Sequence, residues 1–258
     1  MPYIRVPDPL LDVKKPGRSA DWKQIRDNQD YFDAQITAAG LGIRTDQDIR
    51  DHFMSGTTIS TVNWTQVLNA SLGIVSQHKL HFEAGGASTE YAIVHGTSSR
   101  LRIIKTAEYV AFCKLRVQRR SPGSYAGSYF FGWQDDALTT TLVTDVSDCV
   151  GVTIGSSATA WLGRTSNGGS ASTTGDFATN TDWNIIQINL TCSATAGLRQ
   201  AEFFLNGVSV STLSTDANIP AATLKPTIGV NGLTAGAQSG GLFVDYAEFG
   251  FATIPTAA

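Results

Sequence analysis

The stretch Glu202-Phe203-Phe204-Leu205-Asn206-Gly207-Val208-Ser209-Val210 decides the fold class. Asn-Gly between two apolar runs favours a type I′ turn, whose central residues both need positive φ, and so predicts a β-hairpin. The run upstream of it, 183–192, keeps Ile186, Ile188, Leu190 and Cys192 on one side and Gln187, Asn189 and Thr191 on the other. That alternation marks a strand with one buried and one wet face. The run 111–118 repeats the device, with Ala111, Cys113, Leu115 and Val117 set against Lys114, Arg116 and Gln118. Cys113 and Cys192 therefore read as core.

Similar short runs recur at 80–84, 91–94, 129–134, 150–155, 159–164, 200–206, 208–213 and 242–251. About ten strands exceed one small barrel and fit two facing sheets. The segments 165–181 and 233–241 are almost entirely Ser, Thr, Gly, Asn and Ala and predict surface loops. The expected fold class is thus all-β, a two-sheet antiparallel sandwich occupying 59–258.

Residues 1–58 have a different character. Pro2, Pro7, Pro9 and Pro16 predict an extended arm. Ser19 is a candidate cap for a helix ending near Gly40, along which Trp22, Ile25, Phe32 and Ile36 recur at helical steps. This apolar stripe serves either docking and trimerisation or folding back on the sandwich. A second short helix is expected over 46–54, with Ile49 and Phe53 on one side.

The chain of 258 residues is 42% hydrophobic and only 16% charged, against roughly 25% charged in an average globular domain. A formal net charge of -3 argues against nucleic acid, whose phosphates demand clustered cations. No signal-peptide core is visible near the start, and no run approaches the roughly 18 apolar residues of a membrane span. Cys113, Cys149 and Cys192 are odd in number and far apart, so reduced thiols and assembly in a cytoplasm are expected.

With these elements placed, the C-terminal half resembles the concanavalin A-like lectin/glucanase superfamily, especially the laminin G-like domains of viral proteins. The matching order is the Trp-led strand from Trp183, the Asn206-Gly207 hairpin, the Ile219-Pro220 step and the closing strand Phe243-Val244-Asp245-Tyr246-Ala247-Glu248-Phe249. The resemblance implies a jelly roll over roughly 60–253, a fold that serves lectins, glycosidases, adhesion modules and virion parts. The proline-rich arm followed by a helix from Ala20-Asp21-Trp22 resembles the attachment region of phage fibre, spike and decoration proteins.

A glucanase of that superfamily carries a Glu-x-Asp-x-x-Glu strand, because two carboxylates must reach the glycosidic bond from one face. The sequence has no such triplet. Asp245 and Glu248 share a strand, but their separation of three puts them on opposite faces of a regular one. Asp135-Asp136 and the pair Asp145 and Asp148 read as solvated turns, with calcium ligation as the alternative. His78 and His81 would face opposite ways in a strand, which argues against a shared metal. No phosphate loop or nucleophile elbow is present.

Two surface features remain. Lys114, Arg116 and Arg120, with Arg119 beside them, are either ordinary strand solvation or a basic stripe facing an acidic partner or a polyanionic glycan. Tyr125, Tyr129, Trp133 and Trp161 are either core or sugar-stacking rings, with Tyr125 the one expected to be exposed. The expectation is a non-enzymatic, cofactor-free component of a tailed-phage-like particle, a homotrimer on the virion surface. It docks on capsid or tail proteins by its N-terminal segment and displays a sandwich toward host surface polysaccharide, with no role at a membrane. The alternatives are a freestanding lectin and, less favoured, a glycoside hydrolase or lyase.

Overall fold

The computed structural model describes residues 49–51, 61, 63–69, 72–76, 79–84, 91–97, 103–120, 127–137, 148–154, 160–179, 181–232 and 240–252. Their strands form two eight-stranded sheets in which every recorded pairing is antiparallel. Sheet A runs β14 (Val208–Leu213), β13 (Gln200–Leu205), β12 (Asn184–Cys192), β6 (Tyr109–Arg120), β16 (Gly240–Ala252), β4 (Lys79–Ala84) and β3 (Leu72–Ser76), with β1 (Ile49–Asp51) also on β16. Sheet B runs β10 (Ser170–Thr173), β9 (Ala160–Asn167), β8 (Cys149–Ile154), β7 (Gly127–Asp135), β15 (Leu224–Gly232), β5 (Tyr91–Gly96) and β2 (Trp64–Asn69), with β11 (Ala178–Thr179) also on β9.

The expected alternation sets the core. Ala111, Cys113, Leu115 and Val117 of β6 and Ile186, Ile188, Leu190 and Cys192 of β12 are buried, and they meet Phe131 and Trp133 of β7 and Val150 and Val152 of β8 in one cluster. Aromatic edges fix the contact between sheets. Phe249 of β16 receives Trp64 and Trp133 edge-on, each at 5.8 Å between ring centroids. Such pairs contribute about 0.5–1.5 kcal/mol beyond the area they bury. The hairpin from Phe203 forms with Asn206 at φ 51° and Gly207 at φ 85°, as a type I′ turn requires.

Two expectations give way, and one strand was not anticipated. Ile49–Asp51, expected in a helix, is a strand: it pairs with Ala247 to Phe249, and Ile49 is buried in the core. Backbone bonds to a waiting sheet edge and burial of one large side chain outweigh a weak local helix preference. The segment 165–181, expected as a loop, continues β9 to Asn167, turns at Gly168-Gly169, and returns as β10 and then β11. Its Ser and Thr residues hide a strand pattern because few of them are apolar. Strand β15, central in sheet B, had no counterpart in the sequence reading because Pro226, Gly229 and Gly232 read as breakers. Its Pro226 is accommodated beside Gly96, where even a Cβ would stand 3.1 Å from the proline ring.

Candidate functional site

Each sheet has a face turned away from the core, and the two faces are built differently. On sheet B the register aligns Arg164, Gly151, Gly132, Thr227 and His95 in one row, and Ser166, Cys149, Gln134 and Lys225 in the next. The side chains named in these rows are all buried, and exposure begins at the row ends, at Thr173 beyond Arg164 and Thr65 beyond His95. Ile93, Phe130 and Cys149 make a small apolar cluster of their own there. The Phe130 ring lies over Gly151 so closely that a Cβ on that glycine would stand 2.4 Å from it. His95 Nδ1 and Thr227 Oγ1 are 3.0 Å apart, and Lys225 Nζ donates to the Asp136 carbonyl at 2.7 Å. Burial pushes the Cys149 thiol up to about 12, although the Arg164 guanidinium beside it pulls the other way. These rows hold no Asp or Glu, and this face is closed.

The outer face of sheet A is open and mixed. Across β12, β6 and β16 one row reads Ile185, Arg116, Tyr246 and the next Gln187, Lys114, Glu248, with Phe204 of β13 at its end. Phe112 and Phe243 lie on the same face, and Trp183 immediately precedes β12. All five aromatic side chains are partly exposed. The β16 backbone is bulged, because Val244 pairs with Val117 while Tyr246 pairs with Arg116, so two residues oppose one. The buried Val244 and Ala247 then flank two outward residues, Asp245 and Tyr246. Consequently Asp245 and Glu248 share the outer face, which corrects the opposite-face placement expected of a regular strand.

The polar groups here hold one another. The Arg116 guanidinium donates to the Asp245 carboxylate and lies over the Trp183 ring at 4.8 Å from its centroid. The Tyr246 hydroxyl donates to Glu248. Gln187 Nε2 donates to Asn189 Oδ1 at 2.9 Å, and Gln118 Nε2 to the Thr181 carbonyl at 2.7 Å. Rings and hydrogen-bonding groups are thus fixed side by side on a sheet.

Of the residues singled out in the sequence, Lys114 and Arg116 reach this face. The stripe is not basic there, since Arg116 pairs with Asp245 and Lys114 lies opposite Glu248. Arg120 ends β6 opposite Gly241, but its side chain lies outside the described residues, as do Trp22, Ile25, Phe32, Ile36 and Tyr125. Arg119 is buried over the Tyr129 ring at 5.3 Å. Tyr129, Trp133 and Trp161 are core, which removes them as sugar-stacking rings. Asp135 caps its own turn by accepting from the Ala137 N–H at 2.9 Å, and Asp148 accepts from the Gly168 N–H. Among the described residues no group of three His, Cys, Asp or Glu side chains converges as a metal site. Trp183, Tyr246, Phe112, Phe204 and Phe243 were not proposed from sequence as a surface. Two of them were legible: Phe112 and Phe204 occupy the wet phase of their strands, where an apolar ring needs a reason.

No protein-family model and no curated protein matches the sequence. Solved structures do. An endo-1,3-beta-glucanase from Streptomyces sioyaensis superposes with a TM-score of 0.57 at 11% identity, covering 80% of this chain and 96% of that one. The carbohydrate recognition domain of Emp47p gives 0.55 at 9% identity, covering 81% and 96%. Alginate lyase A1-II', of polysaccharide lyase family 7, gives 0.56 at 10% identity, covering 75% and 96%. The chain thus shares with these proteins the all-β fold of two facing antiparallel sheets. At these identities the likeness concerns the fold, which is shared by a glucanase, a polysaccharide lyase and a carbohydrate recognition domain.

Proposed function

We propose that this chain is a non-catalytic glycan-binding sandwich, displayed on the surface of a tailed-phage-like particle and docked there as a trimer by its N-terminal segment. The observation that carries the glycan reading is the open face of sheet A, where partly exposed rings alternate with fixed amide, carboxylate and guanidinium groups. A sugar offers one apolar ring face and a rim of hydroxyls, which this arrangement complements. The neighbouring folds, a glucanase, a lyase and a carbohydrate recognition domain, support the ligand class.

Two features favour binding without turnover. The buried rows of sheet B hold no carboxylate, and the described carboxylates on the outer face of sheet A are committed, Asp245 to Arg116, Glu248 to Tyr246 and Glu202 to the Ser209 hydroxyl. Hydrolysis of a glycoside needs one carboxyl free to give a proton and a second free to attack or to activate water. The expected result is retardation of the protein in gels containing polysaccharide, with no release of reducing ends and no unsaturated product. Release of either product from any polysaccharide overturns the non-catalytic reading.

The particle reading rests on the proline-rich arm and on the apolar residues Trp22, Ile25, Phe32 and Ile36. Because β1 belongs to sheet A, a fair truncation stops before Ile49. Light scattering should give a trimer for the full chain and a folded monomer for a chain lacking 1–48. A full-length monomer removes self-trimerisation through that segment.

A further inference from the structure

We propose, on the basis of the glycan-binding reading, that the outer face of sheet A selects uncharged polysaccharide over polyanionic chains. The selecting element is the strip Trp183, Arg116, Asp245, Tyr246, Glu248. Cations and anions are interleaved along it. Arg116 is neutralised by Asp245 through a direct ion pair, and Lys114 stands opposite Glu248 on the neighbouring strand. Glu202, beyond Asn189 on the same face, adds a further carboxylate and holds the Ser209 hydroxyl at 2.8 Å. A chain of carboxylates or sulfates would have to displace Asp245 from Arg116 and then lie beside Glu248. Like charges brought together in this way cost affinity rather than adding to it.

An uncharged chain meets no such conflict. Its hydroxyls donate to the Asp245 and Glu248 oxygens and accept from Lys114 and from the remaining guanidinium N–H groups, while its ring faces rest on Tyr246 and on the part of Trp183 that the Arg116 guanidinium leaves uncovered. The bulge in β16 makes this possible by turning Asp245 and Tyr246 outward together. The internal bonds that hold Arg116, Tyr246 and Gln187 also lower the ordering cost on binding, since those side chains are already placed.

The test is affinity electrophoresis of the full chain through laminarin, lichenan, xylan and galactomannan, and in parallel through alginate, polygalacturonate and heparin. Each is run at low salt and at about 0.5 M NaCl, where exposed charges are screened. The inference expects retardation by at least one uncharged polymer, unchanged by salt, and weakening about tenfold or more in Trp183→Ala and in Tyr246→Ala, equivalent to about 1.4 kcal/mol or more. It also expects Asp245→Lys, which unmasks Arg116, to gain salt-sensitive retardation by the polyanions. Retardation by polyanions alone, abolished by salt, overturns the selectivity and leaves the glycan reading standing. Uncharged-polymer retardation unaffected by both aromatic variants places binding elsewhere and overturns the assigned strip. No retardation by any polymer overturns the glycan reading and this inference with it.

Discussion

The outer face of sheet B and the outer face of sheet A are made by the same kind of strand, yet one is closed and the other open. On sheet B, Phe130, Ile93 and Cys149 are buried away from the main core, and polar residues such as Gln134 and Thr227 are buried beside them. On sheet A the corresponding outward positions hold Arg116, exposed over 45% of its side chain, and Asp245, exposed over 30%. Strand alternation alone therefore does not say which side of a sandwich meets the solvent. In this chain the partly exposed rings and charged groups lie on the side opposite the one closed over Phe130.

The largest effect that can break this contrast comes from Phe130. If the sheet B face is closed, Phe130→Ala removes a fully buried ring and should cost about 3–5 kcal/mol in urea unfolding. A ring lining an open cleft would cost far less, and a loss below about 1 kcal/mol would overturn the closed-face description.

Alkaline titration gives the next largest effect. Burial pushes the Cys149 and Cys192 thiols up from 9.0 to about 12 and holds Cys113 well above its ordinary value. Burial likewise raises Tyr129 from 10.0 to about 12. Between about pH 9 and 12 the unfolded chain sheds these protons while the folded chain keeps them. Stability that is complete below pH 9 is therefore lost as the pH climbs toward 12. At about pH 10.5 the loss is about 2 kcal/mol for Cys149 and about the same for Cys192. Cys149 sharpens the comparison because it belongs to the closed face. In Cys149→Ala the fall in the urea midpoint from pH 8 to pH 10.5 should shrink by that share, whereas a thiol open to solvent would leave the fall unchanged.

How far each face was legible in the sequence follows from the same physics. Period-two patterns in 111–118 and 183–192 placed the core positions of β6 and β12, and Asn206-Gly207 placed the hairpin, because each rests on local geometry. Strand β15 escaped because Pro226 and two glycines argue locally against a strand that tertiary pairing on both sides then enforces. The site was half legible. Lys114 and Arg116 were placed on the wet face, but the partner that cancels the Arg116 charge was not. Asp245 reaches Arg116 through a bulge that no residue pattern in Val244-Asp245-Tyr246 announces. The closed state of sheet B was equally hidden, since Gly132, Gly151 and Gly229 left its strands without a clear alternation.

The smallest expected effect is also the most discriminating for sheet A. Arg116 and Asp245 form an ion pair that is substantially exposed, so solvent screening leaves it worth between about 0 and 1 kcal/mol. Asp245→Asn should shift the unfolding free energy by no more than about 1 kcal/mol and Arg116→Gln, which also gives up a ring contact, by no more than about 2 kcal/mol, while a double-mutant cycle should return a coupling of about 0–1 kcal/mol. The Trp183 ring beneath the guanidinium adds a cation–π contact of about 0.5–1 kcal/mol that survives Asp245→Asn but not Arg116→Gln. Arg116→Gln is therefore the costlier of the two. A coupling of several kcal/mol would mean that the pair is desolvated and that the face of sheet A is covered like that of sheet B. In that case the contrast between the faces disappears, because neither would be free to receive a polysaccharide.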